Sequence, residues 1–214
     1  MKLGIIGAME VEVATLRDQM DVERTVTRAN MDFSEGMLNG CPAVVVRCGI
    51  GKVNAAACAQ ILSDEFGVTH VVNTGVAGSL DNRIEIGDVV VSTDAVHHDM
   101  DVTGLGYAPG EVPQVGTIAF PANDEMRERA VEACREVVPE IGVFEGRVAS
   151  GDQFIAERAR KARIKTDFDA MCCEMEGAPI AQVCWLNEIP FVIVRAISDK
   201  ADGSKKVLYP IFEK

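Results

Sequence analysis

The residues best suited to chemistry lie in one stretch, residues 172–202, CCEMEGAPIAQVCWLNEIPFVIVRAISDKAD. Glu174 and Glu176 stand near its start; Arg195, Ser198 and Asp199 stand near its end. Between them the pattern predicts a helix over 176–187 and a strand over 191–198. That strand is apolar except for Arg195, as in a strand buried on both faces of a parallel sheet. Asp199 should then emerge at the carboxyl end of a central strand, where open α/β sheets hold their ligands. An acid there, with other carboxylates nearby, points to proton chemistry on a small molecule. The plain structural alternatives are a helix N-cap for Asp199 and a buried ion-pair partner of Glu12 or Glu176 for Arg195.

A second acidic pair, Glu10 and Glu12, falls at the first strand-to-helix junction. Acids there favour the helix macrodipole, and only one of the two can face a cleft. His97, His98, Asp99 and Asp101 form a poor metal set. Adjacent histidines in extended chain point to opposite faces, and no HxH or HxxxH spacing occurs. The seven cysteines (41, 48, 58, 134, 172, 173 and 184) include no CxxC pair. They read as buried, reduced thiols of a cytoplasmic protein.

The elements that must position these groups alternate between strand and helix. Residues 2–8 read as a first central strand and 9–20 as a helix. Residues 24–48 read as β structure, with Asn39-Gly40 as a hairpin turn. GIGKVNAA opens a packed helix without the GxxxxGK[ST] spacing of a phosphate loop. THVVNT (69–74) is a buried strand ending in GVAGSL, read as a glycine turn that lets backbone approach a ligand. Residues 87–92 form another strand. Residues 102–121, rich in Gly and Pro, form a long loop of the kind used for lids, binding loops or subunit contacts. A helix capped by Asn123 runs to 138, with Met126, Ala130, Val131 and Cys134 on one face. A strand over 143–150 leads into GDQFI, and a basic helix follows over 156–165. No repeat or linker appears across the 214 residues, so one α/β domain is the simplest organisation.

Composition excludes some functions. A hydrophobic fraction of 48% supports a sizeable core rather than disorder. The formal charge of -12 argues against nucleic acid or anionic membrane as partner. No basic leader with a long apolar run is present, and no window approaches the ~20 apolar residues of a membrane span.

Seven segments together resemble one family. They are GIIGAMEVEV (4–13), GIGKVNAA (49–56), NTGVAGSL (73–80), HDMDVTGLGY (98–107), SGDQFI (150–155), EMEG (174–177) and VRAISDKAD (194–202). In order and spacing they are similar to the bacterial 5′-methylthioadenosine/S-adenosylhomocysteine nucleosidases. The resemblance implies a three-layer α/β nucleoside phosphorylase/hydrolase fold, its mixed central sheet partly closed into a barrel and flanked by helices. It also implies a homodimer and no cofactor or metal. The family continues past YPIFEK (209–214) into a further helix that this sequence does not contain.

The implied reaction is hydrolysis of an adenine N-glycosidic bond. By resemblance Asp199 protonates N7 of the leaving adenine, which calls for a carboxyl that carries a proton near pH 7. Glu12 activates the attacking water, and Arg195 helps to orient water and carboxylates. Glu176 accepts from the ribose hydroxyls, with Met175 against the sugar, while Glu174 supports the fold. Phe154 stacks on adenine and the Ile155 backbone bonds its edge; Val76, Ala77, Gly78 and Ser198 complete that end. Met9 and Ile50 form part of a pocket for the 5′-thio group. Val102, Leu105, Tyr107 and Pro113 complete it from the partner subunit. Three rival readings are a phosphate-dependent purine nucleoside phosphorylase, an aminodeoxyfutalosine nucleosidase and a non-catalytic nucleoside sensor. Asn73 and Val76 replace the Arg and Ser of phosphorylase sites, and a carboxylate beside the nucleophile repels phosphate.

Overall fold

A computed structural model describes residues 1–203; the YPIFEK segment lies outside the described residues. The apolar run Leu3–Gly7 forms strand β1 and leads into helix α1 (Glu10–Asp18). The chain then turns back through β2 (Met20–Arg28), β3 (Met31–Leu38) and β4 (Cys41–Arg47), two consecutive antiparallel hairpins. Asn39-Gly40 makes the second turn as expected, with φ of 49° and 78°, the doubly positive pattern of a tight hairpin. The first turn, Ala29-Asn30, repeats that geometry at φ 48° and 60° without a glycine to announce it.

Helix α2 (Lys52–Asp64) precedes β5 (His70–Ser79) and β6 (Val89–His97). The long loop contains one short 3-10 turn, Thr103–Leu105, and ends at β7 (Ala119–Pro121). Helix α3 (Asp124–Val137) starts where Asn123 Oδ1 accepts the N–H of Met126 at 3.0 Å, a cap worth about 1 kcal/mol. Its Met126, Ala130, Val131 and Cys134 pack against Val89, Val91 and Val192, the apolar face read from the sequence. Then come β8 (Val143–Ser150), α4 (Arg158–Phe168), β9 (Cys172–Glu174), α5 (Gly177–Leu186) and β10 (Phe191–Asp199).

Among the described residues all ten strands belong to one mixed sheet. β1 lies between β4 and β5 and is parallel to both. β5 is parallel to β10, and β10, β6, β8 and β9 continue back to β5, closing a five-stranded ring. Helices flank the sheet: α1 packs on β4, α3 on β6, and α2 against α5. This is the partly closed mixed sheet that the resemblance implies. Strand β10 is buried along almost its whole length, as its apolar run requires.

Two expectations are corrected. GVAGSL is not a turn after β5, because the strand runs on through Ser79. Gly75 and Gly78 serve close packing, not positive φ. A Cβ on Gly75 would lie 2.1 Å from Arg195 Nη1 and 2.7 Å from Glu12 Oε1; one on Gly78 would lie 3.0 Å from Asp199 Oδ1. Strand β6 likewise runs beyond residue 92 to His97. Among the described residues no helix is long and apolar enough to cross a membrane.

Candidate active site

The carboxyl ends of β1, β5 and β10 and the N-terminus of α5 converge on one cleft open to solvent. Its wall contains the carboxyl groups of Glu12, Glu174, Glu176 and Asp199. Met9, Ile50, Phe154, Ile155 and Met175 supply apolar surface, and Val76, Ala77, Gly78 and Ser198 lie along one side. Sequence reading missed Ala8, Gln153 and Cys173, each adjacent to a residue it named.

Glu12 sits in the first turn of α1 and reaches back over the helix start. Its Oε2 accepts from the N–H groups of Ala8 (2.7 Å) and Met9 (2.9 Å), the carboxylate half of a capping box. Its Oε1 accepts from Val76 N at 3.1 Å, tying α1 to β5. Glu10 faces outward and pairs with Arg17 and Arg47, so only one acid of the pair serves the cleft.

Asp199 is buried where β10 departs from regular pairing between Ile197 and Asp199, an irregularity that re-aims the side chain. Its Oδ1 accepts from Ala201 N at 2.7 Å and its Oδ2 from Ser198 Oγ at 3.0 Å. Ala201, two residues after the acid, holds a left-handed φ of 52°, an uncommon backbone for a non-glycine residue.

Arg195 requires a correction. It is 1% exposed and lies behind the cleft wall rather than in it. Its hydrogen-bonded partners are not Glu12 or Glu176. Nη2 donates to Glu174 and to Asn73 Oδ1, and Asn73 Nδ2 donates to the Ile6 carbonyl at 2.9 Å. Burial works against its charge, but Glu174, Glu176 and Glu12 outweigh it and hold the guanidinium above its ordinary value. Arg195 therefore orders the carboxylates from behind.

Glu174 is the hub of that order. Beyond Arg195 it accepts from Ser150 Oγ and from the N–H groups of Glu176 (3.0 Å) and Gly177 (2.8 Å), which start α5. Glu176, the N-cap residue of α5, is 6% exposed, and its Oε1 accepts from Gly51 N at 2.8 Å. Burial, then the negative charge of Glu174, push its pKa up to about 7; Arg195 and the Gly51 N–H oppose the shift. A ligand hydroxyl donating to Glu176 would favour its ionised form.

The cleft is incomplete on one side, where Ile50 and Phe154 are each 55% exposed. Val102, Leu105, Tyr107 and Pro113 do not line it within this chain, and Leu105 is 76% exposed. Cys173 contributes a neutral wall, since burial holds its thiol well above the usual range. His97 is buried away from the cleft, with Nε2 on Gln182 at 2.9 Å and its pKa lowered to about 4 by burial. Among the described residues no three His, Cys, Asp or Glu side chains converge to hold a metal ion.

The family model of the phosphorylase superfamily matches residues 2–210. A 5′-methylthioadenosine/S-adenosylhomocysteine nucleosidase of Geobacillus is 43% identical over 213 residues, covering 99% of this chain and 91% of the relative. Two solved structures superpose with a TM-score of 0.93 and 99% coverage of this chain. One is the nucleosidase of Colwellia psychrerythraea in complex with adenine, 38% identical with 88% of its chain covered. The other is that of Neisseria meningitidis in complex with methylthio-immucillin-A, 40% identical with 91% covered.

Proposed function

The chain belongs to the phosphorylase superfamily and, within it, to the 5′-methylthioadenosine/S-adenosylhomocysteine nucleosidases, and from that premise we propose a working mechanism for its cleft. The enzyme hydrolyses the N-glycosidic bond of 5′-methylthioadenosine and S-adenosylhomocysteine. The products are adenine with 5-methylthioribose or S-ribosylhomocysteine. The observation that carries the reading is the convergence of Glu12, Glu176 and Asp199 on one cleft with apolar residues on either side.

Adenine lies between Phe154 and the Val76–Gly78 segment of β5, with its N7 edge toward Asp199. Asp199 gives a proton to N7 as the C1′–N9 bond breaks, so adenine leaves neutral. The ribose gains positive charge at C1′, as in other glycoside hydrolyses. Glu176 accepts from the 2′- and 3′-hydroxyls and fixes the sugar. Glu12, held by three backbone N–H groups, takes a proton from water as its oxygen bonds to C1′. Arg195 acts through Glu174 as a positioning residue. The sum is one water consumed, one adenine and one free sugar released; the proton left on Glu12 goes to solvent and Asp199 takes one back, restoring the enzyme.

Residues 1–214 act as one nucleosidase domain working as a homodimer. Val102, Leu105, Tyr107 and Pro113 of each long loop cover the partner's open side beside Ile50 and close the thio pocket. The free thiols are consistent with a cytoplasmic protein. The test of the reaction is adenine release from methylthioadenosine in phosphate-free buffer. Full activity there is expected; strict dependence on phosphate would replace hydrolysis with phosphorolysis.

A further inference from the structure

Helix α2 begins without a cap of its own. Its N-cap, Gly51, has φ of 99° and no side chain, and its first turn carries no acid. Two carboxylates from elsewhere take its first N–H groups. Glu176 accepts from Gly51 N at 2.8 Å, and Asp152 Oδ1 accepts from Lys52 N at 2.8 Å. The Lys52 side chain donates to Asp99 Oδ1 at 2.7 Å, and Asp99 Oδ2 accepts from Asp152 N at 2.9 Å. These bonds form a closed circuit through Lys52, Asp99 and Asp152. The Lys52 and Asp99 side chains are 19% and 17% exposed, so solvent screens them only in part.

Each member belongs to a different segment. Lys52 follows Ile50 and Gly51, the thio- and ribose-facing side. Asp152 precedes Gln153, Phe154 and Ile155, the purine-facing side. Asp99 stands just after β6, at the root of the long loop. A Cβ on Gly51 would lie 3.1 Å from Asp152 Oδ1, so glycine is also what lets the two sides approach.

We propose that Lys52, Asp99 and Asp152 form a bracket that fixes the separation between the purine-facing and ribose-facing walls, making Lys52 and Asp152 positioning residues. The inference rests on the nucleosidase reading of the cleft. A nucleoside spans both walls and needs the bracket. Free adenine, held between Phe154 and Val76–Gly78, does not reach the ribose-facing wall and does not need the bracket.

Asp152→Ala is the direct test, because Asp152 is exposed and its loss leaves the core untouched. The kcat/KM for methylthioadenosine should fall roughly tenfold, the scale of one lost charge-assisted hydrogen bond, mainly through KM. Product inhibition by adenine should not change. Asp152→Asn keeps a neutral acceptor oxygen for Lys52 N and should recover part of the lost kcat/KM. Lys52→Met should reproduce the loss from the other side. The double variant should lose less than the product of the two single effects. Wild-type kcat/KM in folded Asp152→Ala, or equal weakening of adenine and nucleoside, overturns the bracket alone. A wild-type enzyme that releases no adenine overturns the nucleosidase reading and the bracket with it. If Asp152→Ala does not fold, Lys52→Gln carries the same readouts.

Discussion

Replacing Glu174 by glutamine separates order behind the cleft from contact with substrate. Glu174 is 8% exposed and Arg195 1%, and the two are hydrogen-bonded. The carboxylate accepts from four groups, three of them on Oε2. In the best arrangement of Glu174→Gln the amide oxygen takes the place of Oε2 and keeps those three donors. The amide NH2 then faces Ser150 Oγ, which already accepts from Ala178 N at 2.6 Å. What is lost is the counter-charge. Breaking a buried pair costs about 3–5 kcal/mol, and the lower end applies because Glu176 and Glu12 remain near Arg195. For a chain of this length, about 3 kcal/mol corresponds to a Tm lower by roughly 6–12 °C. A second effect accompanies it. The charge of Glu174 is the largest cause after burial of the raised pKa of Glu176, so its removal should lower that pKa. The rise of KM on acidification should therefore begin at a lower pH than in the wild type. Thermal melting at pH 7 and a pH series of KM read both effects. A variant that melts like the wild type yet loses turnover, with its KM profile unmoved, would refute the reasoning and put Glu174 in contact with substrate.

Four further outcomes follow from the same geometry. Asp199→Asn should still bind a nucleoside analogue but lose about 10²–10⁴-fold in kcat, and near-normal turnover would remove it as the proton donor. The Glu176 carboxyl, raised from 4.5 to about 7, makes stability fall as pH rises between those values, because the folded chain holds the proton more tightly. Glu176→Gln should flatten that slope in urea titrations and abolish the gain in nucleoside affinity as pH rises through about 7. Gly75→Ala forces a Cβ against Arg195 Nη1 and Glu12 Oε1, and should cost about 1–3 kcal/mol along with most activity; an active, equally stable variant would refute the close approach. Leu105→Asp should raise KM for methylthioadenosine while leaving adenine inhibition unchanged, and an unchanged KM would remove the partner loop from the thio pocket.

Strand β10 was legible from sequence because a buried parallel strand leaves an unbroken apolar run, with Arg195 as its visible exception. Asn39-Gly40 was legible because only a few residues accept two left-handed positions in succession. Ala29-Asn30 was not, since alanine carries no such signature. GVAGS was misread because glycine in a strand and glycine in a turn look alike. Here the demand comes from Glu12 and Arg195, more than 60 residues and more than 100 residues away in sequence. The partner of Arg195 was misjudged for the same reason: which of several carboxylates reaches a buried cation depends on strand register. The cleft residues named by resemblance do line one cavity, apart from Arg195 behind it and the long-loop residues outside it.

The placement of β5 between β1 and β10 has a kinetic consequence. Glu12 follows β1, Asp199 ends β10, and Arg195 stands in register with Gly75 of β5. The hairpins of β2, β3 and β4 join neighbours in sequence and can form early. Closing the ring requires β10 to enter between β5 and β6, pairing residues more than 100 positions apart, which is slow because a long loop must first be closed. On the ribosome no catalytic set exists until residues around 199 have emerged. In refolding, turnover cannot return before the ring has closed and the partner loop has docked, so it should lag behind the first recovery of strand and helix signal.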